Sequence, residues 1–372
     1  MNTVQTGLDV LVERGFKALR GRRIGLVTNH TGLDHVGRSI VDLLHEAADV
    51  KLCALFGPEH GIRGTRDEEI ADGVDQATGL PVYSLYGARQ KPTSGQLAGI
   101  DTLVFDIQDI GCRFYTYIST LGNVMEAARN NGISIVVLDR PNPINGITIE
   151  GPLPDEDNLS FTAFHTIPVR HGMTISEMAR MFAAERYPGV DLTVIPCQGW
   201  QRTMWFDATG LTWTNPSPNM RSLTQATLYP GIGLLEMTNL SVGRGTDTPF
   251  EWVGAPYLDA PLLAAELRAL DLPGVAVIPT TFTPNASKFA GEPCHALQFL
   301  ILDREAFRPV EFGIALARVL RKHTRAWETD RLNVLLANRD VEHAILESAQ
   351  TTELYQDAAR AFEERRRPYL IY

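Results

Sequence analysis

Cysteine is scarce. The four in 372 residues, at 53, 112, 197 and 294, include no C-x-x-C pair and no metal-ligand spacing. That argues against a zinc ribbon or a disulfide framework, and the thiols read as small buried hydrophobes. No apolar run approaches the roughly 20 residues that cross a bilayer. Residues 1–20 alternate apolar and charged side chains as an amphipathic helix does. No signal peptide is read there, so the expected compartment is the cytoplasm, or the periplasm or exterior if a leader has been removed. Positive charge is in the minority, 34 Lys and Arg against 44 Asp and Glu for a net charge of -10. No stretch interleaves arginine with aromatics, so nucleic acid is not an expected partner. The run Arg365, Arg366, Arg367 closes a helix-like segment, where cations suit the helix dipole. Neither G-x-G-x-x-G nor G-x-x-x-x-G-K-[ST] follows the first strand, and Gly231-Ile232-Gly233 lacks the third glycine. A dinucleotide or nucleoside triphosphate would lack its usual cradle, and no cofactor is expected. Internal repeats and low-complexity tracts are also missing.

What is present is enough apolar material, 44% of residues, for two cores. The pattern reads strand Ile24 to Val27, helix near Arg38 to Ala47, strand Val50 to Phe56, strand Pro81 to Leu85 and strand Thr102 to Phe105. Helix Leu121 to Asn130 and strand Ile133 to Leu138 follow. Strands that are continuous apolar runs alternating with helices predict a parallel sheet covered on both faces, Rossmann-like or flavodoxin-like. Thr174 and Glu177 spell a capping box for a helix through Glu185, and Val190 to Ile195 is a further strand. The boundary is therefore placed near Thr214, giving a doubly wound α/β domain over 1–214 and a smaller α+β domain over 215–372. The latter holds helices Leu258 to Leu270, Val310 to His323 and Thr352 to Arg366, with strands Val275 to Ile278 and Ala296 to Leu302.

Ligands of open parallel sheets bind beyond the carboxyl ends of the strands, and here those ends are polar. They read Thr28-Asn29-His30, Gly57-Pro58-Glu59-His60-Gly61, Asp106-Ile107-Gln108-Asp109 and Asp139-Arg140-Pro141-Asn142. Asp and Asn also serve turns for local reasons, but four such ends on one edge point to a site built from side chains. A second cluster comprises Asn215-Pro216-Ser217-Pro218-Asn219 and the stretch from Glu236 to Thr246, in which Gly243 and Gly245 flank Arg244 and permit close backbone approach.

Taken in order, Gly57 to Gly61, Asp106 to Asp109, Asp139 to Pro143, Pro216 to Asn219 and Glu236 to Thr246 resemble the NamZ/YbbC-like family over nearly the whole chain. Met237 and Arg221 stand where the family pattern has glycine and proline. The resemblance implies a bacterial glycoside hydrolase, an exo-β-N-acetylmuramidase that removes N-acetylmuramic acid from the non-reducing end of peptidoglycan fragments. It also implies a Rossmann-like domain joined to a smaller α+β domain, with the active site in the cleft between them.

Glycoside hydrolysis needs an acid for the leaving oxygen and a second group that supports an oxocarbenium-like carbon. Glu59 is the expected acid, its bland alternative being that it caps a helix or pairs with Arg63. Glu236, carried on a strand formed by Gly231 to Leu235, is the expected second carboxylate; Asp106 or Asp109 could share its task of orienting the substrate acetamide. Expected substrate-binding residues are Asn29, His30, His60, Asp106, Gln108, Asp109, Arg113, Tyr115, Asp139, Arg140, Asn142, Asn219, Asn239, Arg244 and Thr246. Arg244 leads, ahead of Arg113 and Arg140, for the lactyl carboxylate. Tyr115, Tyr117, Trp200, Trp205, Trp213 and Trp252 could offer flat faces for pyranose rings, though core or interface packing is the expected role of most of them. The competing readings are a metal site from His30, His60, Asp106, Asp109 and Asp139, a non-catalytic cell-wall binding protein, and a nucleotide-dependent oxidoreductase.

Overall fold

Val27, Phe56, Phe105 and Val137 are fully buried, and they sit side by side on four neighbouring strands. The computed structural model describes residues 3–59, 61–62, 72–87 and 89–372. Within these, the chain opens with α1 (Gly7–Glu13), β1 (Arg23–Thr28), α2 (Ile40–Glu46), β2 (Lys51–Gly57), β3 (Gly73–Val74), β4 (Pro81–Ser84) and β5 (Thr102–Asp106). It continues through α3 (Tyr117–Asn131), β6 (Ser134–Leu138), α4 (Ile175–Glu185) and β7 (Leu192–Ile195). These strands form one sheet in the order β3-β4-β2-β1-β5-β6-β7. β3 runs antiparallel to β4, and every other neighbouring pair is parallel. Leaving out β3, the parallel strands follow the doubly wound order 3-2-1-4-5-6, whose direction of winding reverses between β1 and β5. That reversal opens a crevice beyond Thr28 and Asp106, which stand level in the β1–β5 register.

Local chemistry explains why the elements stop where they do. Thr174 caps α4 through the Glu177 amide while the Glu177 carboxylate receives the Thr174 N–H, an exchange that stabilises a helix end by about 1 kcal/mol. α3 ends on Gly132 in the left-handed conformation. Each large apolar side chain packed inside contributes about 1.5–3 kcal/mol relative to exposure, which is why the middles of β1, β2, β5 and β6 are apolar and their polar residues fall at the ends.

After β7 come α5 (Leu223–Ile232), a 3-10 turn at Gly233–Leu235, β8 (Trp252–Ala255), α6 (Ala260–Ala269), β9 (Val275–Phe282) and β10 (Cys294–Ile301). α7 (Pro309–His323), α8 (Asn333–Leu336), α9 (Arg339–Leu346) and α10 (Glu353–Arg366) complete the order. β8, β10 and β9 form a three-stranded antiparallel sheet in that order, the smaller α+β unit. The segment Gly231 to Leu235, expected as a strand, is instead the end of α5 and its 3-10 extension. Its glycine has a packing reason: a Cβ on Gly231 would lie 1.9 Å from the Pro309 carbonyl oxygen, and one on Gly313 would lie 2.4 Å from that of Gly231. Only hydrogen at both positions lets α5 and α7 cross this closely, and the crossing fixes where Glu236 emerges. Among the described residues no helix is long and apolar enough to cross a membrane.

Candidate active site

Glu59 leaves β2 through Pro58 and is half-buried. The turn behind it closes with the Gly61 N–H donating to the Pro58 carbonyl at 3.0 Å, and Gly61 takes φ 68°. Ile62 then anchors the loop in the core. His60 and Arg63 lie outside the described residues.

At the neighbouring strand end, Asn29 accepts from the Thr31 amide (2.9 Å) and hydroxyl (2.6 Å) and donates to the Tyr117 hydroxyl at 3.0 Å. Tyr117 donates in turn to the Pro216 carbonyl at 2.6 Å, and the His30 Nε2–H donates to that of Asn215 at 2.6 Å. The 215–219 loop is thus tied to the end of β1 by two hydrogen-bonded links. Arg221 clamps the same loop from its other side, with Nε on the Pro218 carbonyl at 2.9 Å; an arginine here does by hydrogen bonding what a rigid proline does by restricting φ.

Behind this loop lies an aromatic floor. Tyr115 meets Tyr117 edge to face at 5.0 Å and Tyr229 at 5.8 Å, and Tyr229 meets Phe250 at 4.7 Å. Burial pushes the Tyr229 hydroxyl well above its ordinary range, and the charges of Glu236 and Glu59 push it further. Burial followed by the Glu59 charge does the same to Tyr117. Both carboxylates therefore stand within electrostatic reach of one tyrosine: Glu59 from the parallel sheet, Glu236 from the 3-10 turn after α5. Glu236 is ion-paired, Oε1 to the Arg244 Nε, at 2.6 Å.

Several expected ligands are already committed to the protein. Asp106 is wholly buried and forms a two-point pair with Arg140 at 2.6 and 2.8 Å. Asp139 is closed off by Thr174 (2.8 Å), the Ser176 amide (2.9 Å) and the Tyr372 hydroxyl (2.6 Å). Arg113, with no exposed surface, donates to the carbonyls of Leu335 and Leu336, each at 2.9 Å. Asn142 bridges the Met173 carbonyl and the Ile144 amide; Gln108 donates to the carbonyls of Asp109 and Pro141. Asn239 joins the Ala326 carbonyl to the Glu328 amide, and the Thr246 hydroxyl closes its own turn on Gly243. Each of these groups carries an intramolecular hydrogen bond or ion pair, and Gln108 and Arg140 also line a cavity with Thr31 and Trp213 beyond the ends of β1 and β5. Of the described members of the alternative metal set, Asp106 is paired with Arg140, and Asp139 accepts from Thr174, Ser176 and Tyr372. Among the described residues no three His, Cys, Asp or Glu side chains group in a way that could hold an ion.

The tryptophans pack within the protein, the role expected of most of them. The Arg170 and Arg304 guanidinium groups both stand over the Trp205 ring, Trp200 packs edge-on against Tyr372, and Trp252 packs against Phe282. Gly245, at φ 81°, approaches not a ligand but the backbone of Ala286, 2.4–3.0 Å from where its Cβ would stand. Around the tyrosine floor stand Glu59, His30, Tyr115, Glu236 and Arg244, with Asn29 buried behind them on the Tyr117 hydroxyl and Asn219 half-buried on the adjoining loop. Tyr229 belongs with them and went unread, although Ser222 with Gln225 three residues on is a helix-start signature.

Asp109 is a special case. One carboxylate oxygen accepts from the Gly111 amide at 2.7 Å, while the other is buried without a hydrogen-bond partner. Burial, against the Gly111 and Ile110 amides, pushes its pKa up to about 7; in an unfolded chain it ionises near about 4. Between these values the unfolded chain loses its proton first, so the stability Asp109 confers is complete below about pH 4 and is lost as pH rises to about 7. Asp109→Asn should therefore match the parent in Tm near pH 4 and exceed it by several degrees, on the order of a few kcal/mol, near pH 8. Paired melting curves across that range test this, and a Tm difference independent of pH would refute it.

The comparisons with known proteins decide the family. Residues 24–224 match the family model "Exo-beta-N-acetylmuramidase NamZ, N-terminal", and residues 227–372 match its C-terminal counterpart. The chain belongs to the exo-β-N-acetylmuramidase NamZ family. It is 43% identical over 378 aligned residues, 99% of this chain and 91% of the relative, to the peptidoglycan beta-N-acetylmuramidase NamZ of Bacillus subtilis (strain 168). Two crystal structures of DUF1343 family proteins from Bacteroides fragilis NCTC 9343 share its fold. One has TM-score 0.93 at 36% identity and the other 0.79 at 29%, each covering 100% of this chain and 99% of the other. NamZ membership agrees with the expected fold class and with the order of motifs along the chain.

Proposed function

We infer that the protein is a glycoside hydrolase that releases N-acetylmuramic acid from the non-reducing end of peptidoglycan fragments. The reading rests on family membership, and beside it on two carboxylates from different parts of the fold, Glu59 at the end of β2 and Glu236 after α5, whose charges both act on the Tyr229 hydroxyl. We assign the acid to Glu59. Its proton passes to the glycosidic oxygen as the bond to the anomeric carbon breaks, and water then adds hydroxide to that carbon and returns a proton to Glu59. Glu236, held by Arg244, supports the positive charge that builds on the sugar. Asn29, His30, Tyr115 and Asn219 border the bound pyranose, and the cleft lies where residues 1–214 meet residues 215–372.

The proposed partners are peptidoglycan-derived glycans. The compartment we propose is the cytoplasm, which suits four free cysteines, three of them buried. The test is a side-by-side assay of aryl β-glycosides of N-acetylmuramic acid and N-acetylglucosamine, with neither metal nor nucleotide added. Turnover of the first and not the second is expected. Turnover that a chelator abolishes and a divalent ion restores would overturn the two-carboxylate assignment.

A further inference from the structure

Beside Glu236 lies a cavity of about 250 Å³ whose polar lining is Glu236, Ser241, Arg244, Ser287, Lys288 and Arg331, on an apolar wall that includes Leu240. Three cations share it with one carboxylate, in a chain whose net charge is -10. The glycine turn explains how they meet. The Asn285 amide donates to the Gly245 carbonyl at 2.8 Å, and the close approach at Gly245 lays the 285–288 segment against the Arg244 turn. Lys288 Nζ then donates to the backbone carbonyls of Glu236 and Thr238. Two carbonyls orient an ammonium without cancelling its charge, and they use two of its three N–H donors. Burial pulls the Lys288 ammonium down, Glu236 opposes this, and Arg244 and Arg331 add to it, so the four charges feel one another. Arg331 is exposed and makes no ion pair with another described residue.

Arg244, the cation singled out from sequence, is already occupied by Glu236 at 2.6 Å. We propose that Lys288 and Arg331 are the specificity-determining residues of this cavity, and that it takes the carboxylate of the lactyl ether on the sugar being released. The proposal rests on the glycosidase reading above. A sugar with that carboxylate neutralises part of the excess positive charge, whereas one without it must displace water from the same cations and gains nothing in return.

The test compares two aryl β-glycosides of N-acetylmuramic acid, one with the free lactyl carboxylate and one with that group as the primary amide, neutral and nearly isosteric. The parent enzyme should prefer the acid by about 10- to 100-fold in kcat/KM, the range of one or two charge-assisted hydrogen bonds. Arg331→Gln and Lys288→Met should each reduce the preference by about tenfold, chiefly through KM, while Lys288→Arg preserves it. Because Lys288 also holds the 236–238 turn, melting temperatures are measured alongside. If Lys288→Met does not fold, the exposed Arg331 carries the test alone. Equal use of acid and amide by the parent overturns the proposal and leaves the glycosidase reading standing. So do variants that lose equally on both substrates with the preference intact. A parent enzyme that hydrolyses neither glycoside overturns the glycosidase reading itself.

Discussion

Glu59→Gln is expected to lower kcat on a muramic acid disaccharide by about 10²- to 10⁴-fold, the usual contribution of a general acid. The amide keeps the shape of the side chain at the end of β2 and removes only the transferable proton. Pro58, Gly61 and Ile62 hold that turn without help from the carboxyl group, so fold and substrate binding should persist. The loss should depend on the leaving group. A sugar alkoxide must be protonated to depart, whereas an aryl oxide departs with little help, so the aryl glycoside should suffer much less than the disaccharide. Steady-state kinetics on both substrates, with a Tm measurement, separates the roles. Equal losses on the two would assign Glu59 to nucleophilic chemistry, and a lowered Tm with activity reduced in proportion would make it structural.

Glu236→Gln should show the opposite pattern. A carboxylate that supports charge at the anomeric carbon acts whichever group leaves, so the aryl glycoside and the disaccharide should both lose about 10²- to 10³-fold in kcat, the range for removing one preorganised electrostatic contact. The variant also leaves Arg244 facing a neutral amide in place of its ion-pair partner. Because both groups retain some exposure, the stability cost should be small, within about 1 kcal/mol. Denaturant titration beside the kinetics distinguishes these contributions. A large drop in stability with only a modest loss of turnover would make the Glu236–Arg244 pair a structural tie between α5 and the glycine turn.

The parallel sheet was legible because its strands are continuous apolar runs, and such runs have few other ways to be buried. The positions of the polar strand ends followed from the same reasoning, and Glu59, Asn29 and His30 do stand at the crevice. What sequence could not convey is which polar groups the protein would use for itself. Asp106 and Arg140 read as site residues in a linear sequence, and the register of β1, β5 and β6 buries them against each other, where their mutual attraction opposes the larger desolvation of Asp106. Arg113 finds its carbonyl partners more than 200 positions away, at Leu335 and Leu336. The strand assigned to Gly231–Leu235 failed because Pro230, Gly231 and Gly233 disguise a helix that needs Gly231 to cross α7. Lys288 was overlooked for a related reason. Its environment is created by the close approach of Gly245 to Ala286, a contact that no local pattern announces.

The central claim is exo-acting release of N-acetylmuramic acid. It is tested most directly by incubating the purified protein with two defined peptidoglycan tetrasaccharides, one ending in N-acetylmuramic acid at the non-reducing end and the other in N-acetylglucosamine. Products are resolved by mass over time. The account predicts free N-acetylmuramic acid and a trisaccharide from the first, and no cleavage of the second. Release of disaccharides from either substrate, or of N-acetylglucosamine from the second, would contradict it.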